Sequence, residues 1–218
     1  MIVRTTSIFI GFVAALIAQS VRAQDAIPLV DIQKLDPTIV VELRYATSNN
    51  ITGRPLYPPG TRAFVRPEVA QRLVIAQRYL RGRLHGLKIW DAYRPRHVQM
   101  ELWRAARRNT YLADPATING SLHAWGLAVD ATLVDQRNQP VKMPTDYDDF
   151  TPAAFWRYQG SDPFVRSNLA LLQAAMNAGG FYGLSAEWWH FVTPDWKNYV
   201  PDPDQIFTAR RRTPKSKS

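Results

Sequence analysis

Of the four histidines in these 218 residues, two stand in company that could do metal or acid–base chemistry. The segment Ser121-Leu-His123-Ala-Trp-Gly126-Leu-Ala128-Val-Asp130 sets a histidine in a turn and an aspartate inside an otherwise apolar strand. With strand periodicity, Asp130 shares a face with Ala128 and Thr132, opposite Leu127, Val129 and Leu133. A carboxylate there is either exposed or held by a cation, because burying it alone is very costly. Further on, Glu187-Trp-Trp-His190 places a second acid near a second histidine. Two imidazoles and one carboxylate make a three-ligand zinc set with a fourth position left for water. Glu187 is then the additional acid that a metallohydrolase uses to take a proton from that water. Spacing leaves a second reading open: a satisfied core histidine at 190 and a strand-edge aspartate at 130. Residues three apart on a regular strand point to opposite faces, so Glu187 and His190 converge only if the strand bends. His85 and His97 fall at helix ends and receive no catalytic role.

The elements that must position these residues can be traced by periodicity. Thr38–Tyr45 reads as a short strand within a stretch rich in proline and glycine. Arg66-Pro67-Glu68 opens a helix carried by Val69, Leu73, Ala76 and Leu80 and ended by Gly82 and Gly86. Leu87–Tyr93 alternates as a strand, and a second helix is expected near His97–Arg108. Gly126–Val134 is a strand. Residues 135–163 hold four prolines and many aromatics and read as a long functional loop or lid. A third helix runs from Val165 to Ala178 with Gly179-Gly180 as its cap, and Trp188–Thr193 is the last clear strand. This mixture lacks regular βαβ spacing, which predicts a single-domain α+β fold with a largely antiparallel central sheet flanked by helices.

Composition narrows the function classes. The absence of cysteine excludes disulfides, thiolate metal sites, a cysteine nucleophile and a lipoprotein anchor. Seven Trp, nine Tyr and nine Phe are too many buriable side chains for a disordered chain. Residues 1–23 read as a signal peptide: a basic start, an apolar run and small residues at the cleavage positions. The body is then residues 24–208, exported to the bacterial periplasm, and residues 209–218 form a basic, disordered tail. The formal charge of +9 falls to about +2 once the signal and tail are set aside, so a nucleic-acid partner is not indicated. Stable membrane insertion after signal removal is not indicated either.

The motifs resemble those of the D-alanyl-D-alanine dipeptidases of the vancomycin-resistance type, within the zinc D,D-peptidases. The family pattern Ser-x-His-x-x-Gly-x-Ala-x-Asp is met by Ser121, His123, Gly126, Ala128 and Asp130. The Glu-x-x-His pattern is met by Glu187 and His190, in the Glu-Trp-Trp-His form that the dipeptidases favour. The resemblance extends to Leu43-Arg-Tyr-Ala-Thr47, Thr52-Gly-Arg-Pro55 and Trp90-Asp-Ala-Tyr-Arg-Pro95, and so covers roughly residues 30–195.

The resemblance implies a zinc D,D-peptidase or Hedgehog-like fold and one Zn²⁺ per chain, ligated by His123, Asp130 and His190. It implies Glu187 as general base and acid, and Arg94 as the cation facing the scissile carbonyl. It implies a small D-amino-acid dipeptide as substrate, D-Ala-D-Ala itself or a close relative. Its ammonium falls to Asp148, with Ser121 and Tyr45 nearby; the stretch Met143–Asp148 aligns only approximately, which keeps Asp146 and Asp149 open for that role. Trp188 and Trp189 serve as core packing or as pocket wall. Two rivals stand beside the dipeptidase: a peptidoglycan D,D-carboxypeptidase or endopeptidase with the same metal core, and a non-catalytic wall-binding domain.

Overall fold

The computed structural model describes residues 28–106, 112–115 and 120–200. The expected signal peptide and basic tail lie outside the described residues. Among the described residues no helix is long and apolar enough to cross a membrane.

A five-stranded sheet is the frame. Its strands are β2 (Val40–Val41), β4 (His85–Asp91), β5 (Ala128–Asp135), β6 (Tyr182–Leu184) and β7 (Glu187–Val192), in the order β2-β4-β5-β7-β6. Only β2 with β4 is parallel; the other three pairings are antiparallel, as expected for the fold class. A two-stranded sheet of β1 (Val30–Asp31) and β3 (Phe64–Val65) stands apart, and a single-turn helix α1 (Ile32–Leu35) follows β1.

Helices α2 (Pro67–Arg81) and α4 (Pro163–Ala178) pack on each other and on the sheet. Their buried stripes are those the helical period selects: Val69, Leu73, Ala76 and Leu80 in one, Leu169, Leu172 and Met176 in the other. They meet closely because α4 ends on Gly179, where a Cβ would come within 2.6 Å of the Arg72 carbonyl oxygen. Leu87 pairs with Leu133, and Ile89 with Ala131, giving one fully buried sheet face. Helix α3 (Arg96–Ala105) follows Arg94-Pro95 and starts one residue before the expected His97; Arg107 and Arg108, the end of that expectation, lie outside the described residues.

One expected element is corrected. Thr38–Tyr45 is not a continuous strand: pairing stops at Val41 and Arg44–Ala46 is a 3-10 turn. The Tyr45 carbonyl accepts from the amides of Leu56 and Tyr57 at 2.7 and 2.9 Å, so the chain folds back on itself there. β-propensity alone could not weigh that closure against extension.

Candidate metal centre and substrate site

The site lies at one end of the β4-β5-β7 ladder. Asp130 on β5 and His190 on β7 are direct cross-strand partners, which brings their side chains together without any special local sequence. His123 comes from the 3-10 turn Leu122–Trp125 that leads into β5. Ser121 caps that turn, its Oγ accepting from the His123 amide at 3.3 Å. Gly126 closes the turn at φ +66°, where a Cβ would lie 2.7 Å from Leu29 Cδ2 and 3.2 Å from the Arg66 nitrogen. Two fixed positions of the sequence pattern thus exist to hold the imidazole.

The three side chains converge. His190 Nδ1 lies 2.9 Å from Asp130 Oδ1 and 3.2 Å from His123 Nε2, and His123 Nε2 lies 3.4 Å from the same Asp130 oxygen. Four-coordinate zinc with bonds of ~2.0–2.1 Å has ligand–ligand edges of ~3.3 Å, so the spacing suits that ion. Donor chemistry agrees. His123 Nδ1 is 2.7 Å from the Ala92 carbonyl oxygen, which can only accept, so Nδ1 carries a proton and Nε2 is the nitrogen turned toward Asp130 and His190. Burial alone would raise the Asp130 pKa, but His123 and His190 outweigh it and hold the carboxyl well below the usual range.

Glu187 is buried at the start of β7, with Oε2 3.8 Å from His190 Nδ1. The bend that this approach requires is present. Gly183 pairs with Phe191, yet the next strand residue, Leu184, pairs with Glu187, so β7 carries an irregularity across 188–190. A second irregularity at Trp90 places Asp91 opposite Asp130.

Arg94 is buried and its guanidinium is anchored on three sides: Nε to Asp91 Oδ2 at 2.7 Å, Nη1 to Gln99 Oε1 at 2.8 Å, and Nη2 to Asp130 Oδ2 at 3.2 Å. Burial opposes its charge, but Tyr45, Asp91, Tyr147 and Asp130 more than restore it, so it stays protonated. Three of its five N–H groups are used in these bonds.

The 136–162 connection docks on this cluster through Thr145–Asp148. Trp188 Nε1 donates to Thr145 Oγ1 at 2.9 Å. Tyr147 is buried between Tyr45, Trp90 and Trp189, and its hydroxyl donates to Asp130 Oδ2 at 2.7 Å. Burial pushes the Tyr147 hydroxyl well above its ordinary pKa, which keeps the proton available for that bond.

The three acids left open by the sequence separate cleanly. Asp146 is exposed and paired with Arg44 at 3.0 Å, and Asp149 accepts from the Thr151 amide at 3.1 Å. Asp148, at φ +60°, turns inward: Oδ1 accepts from the Tyr45 hydroxyl at 3.0 Å and Oδ2 from the Ile51 amide at 3.0 Å. Burial raises its pKa to about 6. Trp188 and Trp189 are fully buried and pack on each other, which favours the core-packing role for both.

Sequence reasoning missed Asp91, Tyr57, Gln99 and Tyr147. Asp91 is completely buried and accepts from Tyr57 at 2.6 Å as well as from Arg94. An acid ending an apolar alternating strand was the available signal, the same one that singled out Asp130.

The chain is similar to known proteins over nearly its whole described body. The D-ala-D-ala dipeptidase model of peptidase family M15 matches residues 25–210. A D-alanyl-D-alanine dipeptidase of Escherichia coli is 34% identical over 187 residues, covering 84% of this chain and 93% of the relative. One from Enterococcus faecium is 27% identical over 184 residues, covering 76% and 89% respectively. Among solved structures, an L-Ala D-Glu endopeptidase of Serratia marcescens is a distant likeness, with a TM-score of 0.40, 15% identity, and coverage of 76% of this chain and 98% of that one. With the family model spanning the strands and turns that carry His123, Asp130, Glu187 and His190, this chain belongs to the M15 family of D-alanyl-D-alanine dipeptidases.

Proposed function

We propose that this D-alanyl-D-alanine dipeptidase works as a one-zinc hydrolase, with His123, Asp130 and His190 holding the ion and Glu187 moving the proton. The convergence of two imidazoles and one carboxylate within one buried end of the sheet, with a second acid, Glu187, 3.8 Å from His190 Nδ1, carries the reading. When bound, the ion supplies a Lewis acid and lowers the pKa of a water toward ~7. Glu187 accepts a proton from the attacking water and passes it to the departing amide nitrogen, so that two molecules of D-alanine leave. The two N–H groups of Arg94 not spent on Asp91, Gln99 and Asp130 face the charge that develops on the scissile carbonyl oxygen. Asp148 and the Tyr45 hydroxyl receive the substrate ammonium, and Ser121 caps the turn that carries His123. Purified protein should contain about one equivalent of zinc and hydrolyse D-Ala-D-Ala. A chelator should abolish the activity and added zinc restore it. Full activity in metal-free protein would refute the assignment.

The Asp148 role carries a pH signature. Its pKa of about 6 means that the carboxylate needed for the ammonium is present above that pH and lost as pH falls through it. The acid limb of kcat/KM for the free dipeptide should therefore fall near pH 6, declining about tenfold per pH unit below it. The limb of kcat should lie lower, because a bound ammonium favours the ionised form. Asp148→Asn should remove this limb from kcat/KM; a limb that persists unchanged in that variant belongs to another group.

A further inference from the structure

Asp130 divides its oxygens between two tasks. Oδ1 points to His190 Nδ1 and His123 Nε2, at 2.9 and 3.4 Å. Oδ2 is covered by two donors, the Tyr147 hydroxyl at 2.7 Å and Arg94 Nη2 at 3.2 Å. The two donors differ in origin. Arg94 is fastened to the frame by Asp91 and Gln99, whereas Tyr147 arrives on the 136–162 connection, one residue before Asp148. A carboxylate that turned both oxygens to a metal would have to abandon these bonds.

We propose that Tyr147 is a positioning residue: its hydroxyl pins Asp130 Oδ2 so that the aspartate offers the metal a single oxygen. The connection that carries the substrate-facing Asp148 thereby also sets how the ion is held. This rests on the reading of His123, Asp130 and His190 as the ligands, and its test is separable from that reading. Partners of metal ligands commonly change affinity by about 10–100-fold when removed.

Tyr147→Phe keeps the ring that packs on Tyr45, Trp90 and Trp189 and removes only the hydroxyl. Zinc affinity, measured on the full chain by competition with a chromophoric chelator, should fall about 10–100-fold. The metal-free variant should remain folded and melt a few degrees below wild type, because one bond to a buried carboxylate is lost while the ring packing is kept. Cobalt(II) loaded in place of zinc gives the decisive signature: release of Oδ2 raises the coordination number, which weakens the visible absorption that four-coordinate cobalt shows strongly. Weaker zinc binding together with weaker cobalt absorption supports the proposal. An unchanged cobalt spectrum overturns it, whatever happens to affinity or midpoint, because a packing defect alone would leave the ligand set as it was. Should the wild-type chain hold no zinc, the ligand reading itself falls, an outcome distinguishable from failure in the variant alone.

Discussion

Glu187→Gln should leave a folded protein that still holds zinc and should lower kcat by about 10³–10⁴-fold. The side chain is buried beside the three converging donors but is not one of them, its nearest oxygen standing 3.8 Å from His190 Nδ1. Glutamine fills the same volume at that position, so the sheet irregularity that carries the residue is kept. It cannot take a proton from water, nor return one to the leaving nitrogen, so both halves of the proposed transfer fail together. KM should change little, because the dipeptide is held by other groups. His190→Ala should behave in the opposite way and lose the metal itself, since His190 faces both His123 and Asp130. Metal content and steady-state kinetics on both variants check the pair. A zinc-free Glu187 variant beside a zinc-loaded His190 variant would reverse the roles.

N-acetyl-D-Ala-D-Ala should be hydrolysed with kcat/KM about 10³-fold or more below that of the free dipeptide. Acetylation removes the ammonium and leaves the half-buried Asp148 without the partner for which it is poised. Desolvation pushes its pKa up to about 6, even with Tyr45 and Ile51 donating to it. The substrate's positive charge relieves that cost, so part of the binding energy comes from desolvation the enzyme has already suffered. Asp148→Asn should therefore weaken the free dipeptide selectively and have a smaller effect on any acetylated substrate that still turns over. Competitive assays with the two substrates on wild type and variant decide the matter. Equal rates on free and acetylated dipeptide would make the enzyme a carboxypeptidase and remove the pocket argument, while the metal chemistry would stand.

Much of the architecture could be read from local pattern. Helical spacing of Val69, Leu73, Ala76 and Leu80 marks α2, and Leu169, Leu172 and Met176 mark α4, because each stripe is buried by the neighbour it faces. Strand alternation found β4 and β5, the run Trp188–Thr193 marked β7, and a lone acid in the β5 pattern singled out Asp130. Residue type settled which chemistry was available: two imidazoles, one interior carboxylate, an acid three residues from a histidine, and no thiol.

Whether those groups meet was decided only in the folded sheet. Asp130 and His190 touch because β5 and β7 happen to pair in that register, 60 residues apart in sequence. Glu187 reaches His190 through an irregularity in β7, and Asp91 reaches the same end through another at Trp90. A strand's period of two predicts which face a residue takes only while pairing is regular; one extra residue reverses the outcome, and its position depends on the partner strand. Tyr147 and Asp148 carry no periodic signal at all, since their places come from a loop docking onto aromatic rings and a carboxylate far away in the chain. The sequence by itself determined the inventory and the local elements, which short-range sterics and burial dictate. Register, bulges and loop docking, which depend on surfaces that exist only after the chain has folded, belonged to the tertiary structure.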